Sequence, residues 1–266
     1  MSFFPGSDAR SVPTEVKAPS PFLLMLEARA PWEYAALWLS SPWLRELPRG
    51  DGHPVLVFPG LGANDLSTYP LRNLLTVLGY TPYPWNFGFN FGPRPGVLRG
   101  CAELTRELCD KHGQPVSLIG WSLGGVYARE VAKLAPEATR CVVTLGTPFA
   151  GPPKANHAWR VYEFLSGQKI DDPHELRDQI HIAPPVPTTS VYSRSDGVVA
   201  WPCSLNEDGP LTENIEVFAS HVGLGLNPLA LTAVADRLTQ DPKRWRKFDR
   251  PGALAWLVKH GPARPA

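Results

Sequence analysis

Short apolar runs alternate with longer amphipathic stretches along the central part of the chain. Runs rich in apolar and β-branched residues predict six strands. They lie at 55–58, 81–85, 116–119, 141–145, 188–192 and 215–218. Apolar positions three and four residues apart predict four helices, at 66–78, 100–111, 123–134 and 228–238. This alternation predicts an α/β fold, in which a mostly parallel central sheet has helices on both faces.

One Pro-rich stretch interrupts the alternation. Residues 148–187 contain seven prolines, and their apolar spacing predicts two short helices, near 156–166 and 173–181. We interpret the stretch as a short helical lid inserted into the core. The predicted core then comprises residues 51–147 and 188–240.

The two ends of the chain lie outside the predicted core. Residues 1–50 comprise a Pro- and Ser-rich arm and then an aromatic segment, residues 21–47, with apolar side chains at helical spacing. We expect this segment to pack on the core; a helix lying in a membrane interface is the alternative. Residues 241–266 form a basic tail that we expect to pack on the core through three aromatic side chains. These are Trp245, Phe248 and Trp256.

The charge balance and apolar content exclude several classes of partner. Lys and Arg number 26 and Asp and Glu 25, a net charge of +1, so no excess positive charge attracts nucleic acid. No 18-residue apolar run predicts a transmembrane segment, and the N-terminus lacks a signal-peptide pattern. We therefore expect a soluble, cytoplasmic protein, and leave peripheral membrane contact and the oligomeric state open. The four cysteines lack metal-site spacing, which predicts reduced thiols and no metal ion.

The chain contains one G-x-S-x-G sequence, Gly120-Trp121-Ser122-Leu123-Gly124. It directly follows the predicted strand 116–119 and opens the predicted helix 123–134. A serine at such a junction lies on a sharp, strained turn, and its hydroxyl projects above the sheet. Glycines flank it because side chains there would collide with the strand and the helix. The sequence therefore predicts Ser122 as a catalytic nucleophile; a turn that merely joins strand and helix is the alternative.

A serine nucleophile needs a histidine base, and the base needs an acid to orient it. In proteins with this turn, the acid and then the histidine follow the serine. His221 follows the sixth predicted strand, whereas the other late histidine, His260, lies in the tail. Asp196 follows the fifth predicted strand, at the carboxyl edge of the sheet, whereas Asp171 and Asp172 follow a predicted helix. We therefore predict Asp196 as the acid and His221 as the base.

The tetrahedral intermediate of acyl transfer carries a negative oxygen that needs N–H donors. We predict one donor at Leu123, the residue after the nucleophile. The second should come from the loop after the first predicted strand, Pro59-Gly60-Leu61-Gly62, where glycines let the backbone approach a substrate closely. Within it we favour the N–H of Leu61, and a purely structural turn is the alternative.

Together these motifs resemble those of the α/β-hydrolase superfamily, and within it they are most similar to those of bacterial lipases and esterases. The resemblance covers about residues 53–240 and rests on residues 59–62, 120–124, 195–197 and 220–223. Residues 147–151 resemble the Thr-Pro-His-x-Gly stretch of such lipases, although Phe149 stands where a histidine is usual. Pro59 stands where a histidine often precedes the oxyanion glycine, and the first two strands of the full superfamily sheet are missing.

This resemblance implies a serine hydrolase that cleaves carboxylic esters through an acyl-enzyme, without a cofactor. Aromatic residues on loops near the predicted site indicate an apolar cleft for a small or lipid-like ester. They are Phe87, Trp121, Phe149 and Trp201. An acyltransferase or an amidase could use the same triad. A non-catalytic binding protein of this fold is less favoured, because it needs none of the three triad residues.

Overall fold

The computed structural model describes residues 16–152, 154–167, 169, 179–249 and 258–264. Within these ranges lie seven strands and eight α-helices. The strands are β1 (Pro54–Phe58), β2 (Thr81–Pro84), β3 (Val116–Trp121), β4 (Thr139–Leu145), β5 (Thr188–Tyr192), β6 (Thr212–Val217) and β7 (Val258–His260). The helices are α1 (Pro21–Leu26), α2 (Ala30–Leu39), α3 (Ser41–Leu44), α4 (Tyr69–Val77), α5 (Val97–His112), α6 (Leu123–Leu134), α7 (Trp159–Ser166) and α8 (Pro228–Leu238).

The described strands form one sheet in the order β2-β1-β3-β4-β5-β6-β7. Strands β1 to β6 run parallel to one another, which confirms the predicted mostly parallel sheet. β2 lies at the edge of the sheet, where a strand tolerates prolines such as Pro82 and Pro84. The sequence does not predict β7, which adds an antiparallel strand from the tail to the other edge.

Helices cover both faces of the sheet. Along β1, Val55 and Val57 join a buried apolar cluster with α4 and α8, while Leu56 and Phe58 join a second cluster with α5 and α6. All four side chains are at most 1% exposed. Burial on both faces is the pattern of a parallel sheet between two helical layers. Each such side chain stabilises the fold by roughly 1.5–3 kcal/mol through removal from water.

Residues 21–47, hereafter the N-terminal segment, contact the core but leave many large apolar side chains exposed. Leu44 and Leu47 are buried, but no side chain of α1 or α2 is fully buried. Leu37 packs against the core, whereas several other large apolar side chains face outward. Among them are Phe22 (65% exposed), Met25 (73%), Trp32 (76%), Trp38 (64%) and Leu39 (83%). The helices are present, and the side that contacts the protein carries both apolar and charged residues.

The predicted lid contains α7, which matches the first of its two predicted helices. The second, near 173–181, lies mainly outside the described residues. α7 lies beside the loop after β1, because a Cβ atom added to Gly62 would be 3.5 Å from Leu165 Cδ1. The division of the chain into core, lid and tail stays a prediction.

In the tail, Phe248 is buried and Trp245 is partly buried, while Trp256 lies outside the described residues. All four cysteines are free thiols, and three of them are buried. No helix within the described ranges is both long enough and apolar enough to cross a membrane.

Candidate active site

Ser122 lies between the end of β3 and the start of α6, with φ of 51° and ψ of −123°. A positive φ is rare for a residue with a side chain and marks a strained turn. The two glycines of this turn also lie too close to other backbone atoms for a residue with a side chain to replace them. A Cβ atom on Gly120 would lie 2.3 Å from the Gly124 carbonyl oxygen, and one on Gly124 would lie 2.3 Å from the Phe58 carbonyl oxygen. The two glycines therefore let the strand and helix meet closely enough to present the serine.

The fold brings Ser122, His221 and Asp196 into one hydrogen-bonded chain. His221 Nε2 lies 2.9 Å from Ser122 Oγ, and His221 Nδ1 lies 2.7 Å from Asp196 Oδ2. The rival histidine, His260, is exposed on β7, at the edge of the sheet. The rival carboxylates lie outside the described residues; they are Asp171 and Asp172.

The Asp196 carboxylate is held from two sides. Its Oδ1 atom accepts hydrogen bonds from the N–H groups of Val198 (2.8 Å) and Val199 (2.7 Å), which leaves Oδ2 for the histidine. The side chain is almost fully buried. Gly146, after β4, closes the space behind the pair, because a Cβ atom there would lie 3.1 Å from His221 Nδ1. This packing fixes the orientation of the carboxylate and of the imidazole.

Burial and two carboxylates shift the pKa of His221 in opposite directions. Burial lowers the pKa of His221, but the charge and hydrogen bond of Asp196, together with the charge of Glu27, raise it more, so that it lies above 6.5. The imidazole is 7% exposed. This surrounding charge favours the imidazolium that forms when a base accepts a proton from serine.

The loop predicted to supply an oxyanion donor lies directly beside the serine. A Cβ atom on Gly60 would be 3.5 Å from Ser122 Cβ. Leu123 is the first residue of α6, so its N–H has no partner within the helix. Among the described residues, none accepts a hydrogen bond from the Leu61 N–H, whereas the Gly62 N–H donates to the Asn90 carbonyl (2.7 Å). The oxyanion role of Leu61 and Leu123 stays a prediction.

Asn90 holds this loop in place, and sequence reasoning misses it. Its Nδ2 donates to the Pro59 carbonyl (2.8 Å), its N–H donates to the Ala63 carbonyl (2.8 Å), and its carbonyl accepts from Gly62. Asn90 is completely buried. A lone asparagine between Phe89 and Phe91 is the only signal in the sequence that could point to it.

The predicted pocket residues do not form one cluster of exposed rings. Trp121 donates from Nε1 to the His221 carbonyl (3.0 Å) and so supports the histidine loop. Phe149 is 1% exposed beneath the Arg129 guanidinium, whose carbon lies 3.7 Å from the ring centroid, and substrate contact by Phe149 stays a prediction. Trp201 stacks on Tyr192.

Phe87 packs edge to face against Trp85, with ring centroids 5.8 Å apart, and its ring fills the space beside Gly100. It is partly buried within the cluster on the α5 and α6 face. Substrate contacts by Phe87, Trp121 and Trp201 stay predictions.

No family model and no curated protein matches this sequence. Among solved structures, the chain is similar to Aspergillus fumigatus lipase B, with a TM-score of 0.57 and 18% identity over 75% of this chain and 57% of that one. It is also similar to Bacillus licheniformis lipase BlEst2, with a TM-score of 0.55 and 18% identity over 73% of this chain and 95% of that one. The chain thus spans little more than half of lipase B.

A third similar structure is the monoacylglycerol lipase of Paleococcus ferrophilus, with a TM-score of 0.51 and 16% identity over 73% of this chain and 96% of that one. The chain has the α/β-hydrolase fold. The predicted fold class is therefore confirmed. Within an α/β-hydrolase fold, Ser122 takes the position after the third described strand, at the carboxyl edge where open α/β sheets place their sites.

Proposed function

We propose that this protein is a serine hydrolase that cleaves carboxylic esters through an acyl-enzyme on Ser122. One observation carries the proposal: the Ser122 hydroxyl, on a strained turn at a helix N-terminus, contacts a histidine that a buried aspartate orients. A hydroxyl becomes a useful nucleophile only when such a base accepts its proton. The similar lipases share the fold that supports this chemistry.

In the first half of the reaction, Ser122 Oγ forms a bond to the ester carbonyl carbon while His221 Nε2 accepts the hydroxyl proton. The carbonyl oxygen becomes an oxyanion, which the N–H groups of Leu61 and Leu123 stabilise. Asp196 holds the imidazole in the correct tautomer and stabilises its positive charge. The bond to the alcohol then breaks, and His221 gives its proton to the leaving oxygen.

In the second half, water attacks the acyl carbon while His221 accepts one of its protons. The bond between this carbon and Ser122 Oγ then breaks, and His221 returns the proton to the serine. The acid leaves and the enzyme is regenerated. No step requires a cofactor.

Apolar side chains beside the oxyanion loop support a hydrophobic ester as substrate. Phe89 and Phe91 flank Asn90, and their rings stack with centroids 5.5 Å apart. The Phe89 ring is 49% exposed. Exposed aromatic rings near a polar reaction centre favour an acyl or alkyl chain over a sugar or a charged group.

Two assays test the proposed function. A fluorophosphonate probe should label the wild type, and a series of p-nitrophenyl esters should show turnover that depends on chain length. His221→Ala should lose most of the turnover, on the order of 10⁴-fold or more, while the matched variant His260→Ala keeps it. Equal rates in His221→Ala and wild type would rule out the assigned base. Transfer to an added alcohol, or cleavage of the matching anilide alone, would favour an acyltransferase or an amidase.

A further inference from the structure

The N-terminal segment places charged residues on the side that faces the protein. Its outward face carries large apolar side chains, while the face toward the protein carries Glu27, Arg29 and Glu33, all partly buried. Burial of charged groups costs free energy unless hydrogen bonds compensate for the lost water. The inward-facing charged side chains therefore need hydrogen-bond partners. These partners lie on the two loops that carry Asp196 and His221.

Glu27 bridges these two loops with a single carboxylate. Its Oε1 atom accepts hydrogen bonds from the N–H groups of Gly197 (2.8 Å) and His221 (2.9 Å). Its Oε2 atom accepts one from the N–H of Val222 (3.0 Å). Bonds from backbone N–H groups to an ionised acceptor are roughly twice as strong as bonds between neutral groups. One side chain thus ties the residue after the acid to the residue that is the base.

Two neighbouring side chains extend the same contact. Glu33 accepts hydrogen bonds from the Ser220 N–H (2.8 Å) and hydroxyl (2.9 Å), next to the histidine. Arg29 donates to the Ser195 carbonyl (2.8 Å) and hydroxyl (2.9 Å), next to the aspartate. Arg29 and Glu33 also pair with each other, with Nε and Oε1 3.2 Å apart. Each loop is therefore held at the residue that precedes its triad residue.

The loops are shaped to receive the segment. A Cβ atom on Gly197 would lie 2.1 Å from the Leu23 carbonyl oxygen, and one on Gly223 would lie 1.4 Å from Glu33 Oε2. Neither glycine has a positive φ, so the close approach of the segment, and not the backbone conformation, is what a side chain there would obstruct. Gly197, which follows the acid, and Gly223, two residues after the base, thus mark the places where the segment docks.

We propose that Glu27 is a positioning residue for His221, which fixes the acid and histidine loops relative to each other and stabilises the imidazolium during acyl transfer. This inference rests on the proposed function, because it assigns Glu27 a role in the same site. Glu27 does not contact the reacting atoms; it acts through the backbone of Gly197, His221 and Val222.

The charges around the imidazole are consistent with this role. Asp196 on the loop after β5 and Glu27 on the N-terminal segment both raise the pKa of His221 against the lowering effect of burial. Glu33 contacts Ser220 and Arg29 contacts Ser195, the residues before His221 and Asp196, and the two charged side chains also pair with each other. Replacement of Glu27 by glutamine removes the charge and keeps an Oε1 acceptor for Gly197 and His221, but its amide nitrogen cannot accept from Val222. Glu27→Ala removes all three contacts, so the two variants together distinguish loss of the charge from loss of loop anchoring.

The test compares Glu27→Gln and Glu27→Ala with the wild type and with Glu46→Gln, a matched change at an exposed position of the same segment. Fluorophosphonate labelling first gives the fraction of active serine, and kcat, KM and the pH profile of kcat/KM are then measured per active site. We expect Glu27→Gln to lower kcat by about tenfold with KM nearly unchanged, and to move the acidic midpoint of the profile to lower pH. Glu27→Ala should lose more, and Glu46→Gln should match the wild type.

Other outcomes overturn the inference. A Glu27→Gln enzyme with the wild-type kcat and midpoint would show that Glu27 does not position His221. A lower kcat with an unchanged midpoint, or a fall only in the active fraction, would mark Glu27 as a structural residue. Failure of the proposed function has a different signature, because the wild type itself would then resist labelling.

Discussion

Two Ser–His–Asp chains of hydrogen bonds lie at opposite ends of strand β3. At its carboxyl end, Ser122 contacts His221, which contacts Asp196. At its amino end, Ser117 Oγ lies 2.8 Å from His53 Nε2, and His53 Nδ1 lies 2.5 Å from Asp51 Oδ1. The two serines are five residues apart, about 17 Å along an extended strand.

The surroundings of Ser117 and Ser122 differ in burial and in backbone position. Ser117 and His53 are completely buried, and the Ser117 hydroxyl also contacts the Cys141 thiol (3.3 Å). Ser117 lies within a strand, paired with neighbours on both sides, with no helix N-terminus to stabilise negative charge. Ser122 is only partly buried and begins α6. Of the two serines, only Ser122 thus combines partial exposure with a helix N-terminus, as the proposed function requires.

The surroundings of the two histidines also shift their pKa values in opposite directions. Burial and the nearby Arg140 lower the pKa of His53 in spite of Asp51, which favours the neutral imidazole. The surroundings of His221 raise its pKa, chiefly through Asp196 and Glu27. The comparison teaches that this hydrogen-bond pattern does not by itself make a nucleophile. Access, a strained turn, and charges that favour an imidazolium have to occur together.

The largest effect should separate the two serines. Ser122→Ala should lower ester turnover on the order of 10⁶-fold, because it removes the atom that forms the acyl bond. Ser117→Ala should keep kcat/KM within about twofold, because Ser117 only satisfies buried partners. Steady-state kinetics on a p-nitrophenyl ester measure both. Comparable losses in the two variants would abolish the distinction.

The two aspartates should differ nearly as much. Asp196→Asn leaves the size of the side chain unchanged but favours the wrong histidine tautomer, so kcat should fall on the order of 10⁴-fold. Asp51→Asn should leave kcat unchanged and lower stability, because the pKa of Asp51, raised by burial but lowered more by His53 and Arg140, is about 2 in the folded state. Kinetics and urea denaturation of both variants provide the test. A catalytic defect in Asp51→Asn would contradict the purely structural role of Asp51.

The histidine at the amino end should matter for stability alone. His53→Gln should cost about 1–3 kcal/mol at pH 7, since it disturbs two buried hydrogen bonds. The lowered pKa of folded His53 means that, below about pH 6.5, the unfolded chain binds this proton more readily. The stability advantage of the wild type over His53→Gln should therefore shrink between pH 7 and pH 5. Denaturation curves in which the difference grows on acidification would contradict this sign.

The smallest effect concerns the pH profile of the wild type. The base must be neutral to accept a proton, and the raised pKa of His221 places the acidic midpoint of kcat/KM above 6.5. Rates measured between pH 5 and pH 9 locate it. A midpoint below 6.5 would mean that the neighbouring carboxylates do not control the imidazole.

Much of the candidate site can be predicted because its signals are local in the sequence. Ser122, Asp196 and His221 each follow a strand whose apolar pattern is plain, and the glycines around the serine reflect crowding within a few residues. The sheet is predictable for the same reason. β7 is an exception, because a three-residue strand in the tail depends on pairing with β6, and its own composition gives no signal.

The contacts of Glu27 cannot be predicted in this way. Its partners lie 170 to 195 residues further along the chain, and nothing near Glu27 indicates them. Helical periodicity predicts which apolar positions face inward, but it does not predict that charged side chains share that side in the N-terminal segment. Phe149 is a second case: its position after β4 predicts a loop at the site, but the packing of Arg129 over its ring buries it.

The most direct test of the central claim is to identify the covalent intermediate. The wild type is mixed with a p-nitrophenyl ester, quenched in acid within one turnover, and analysed by peptide mass spectrometry. We expect an acyl group on Ser122, absent from Ser122→Ala and retained at the same site in Ser117→Ala. Hydrolysis without a covalent adduct, or an acyl group on any other residue, would contradict the account.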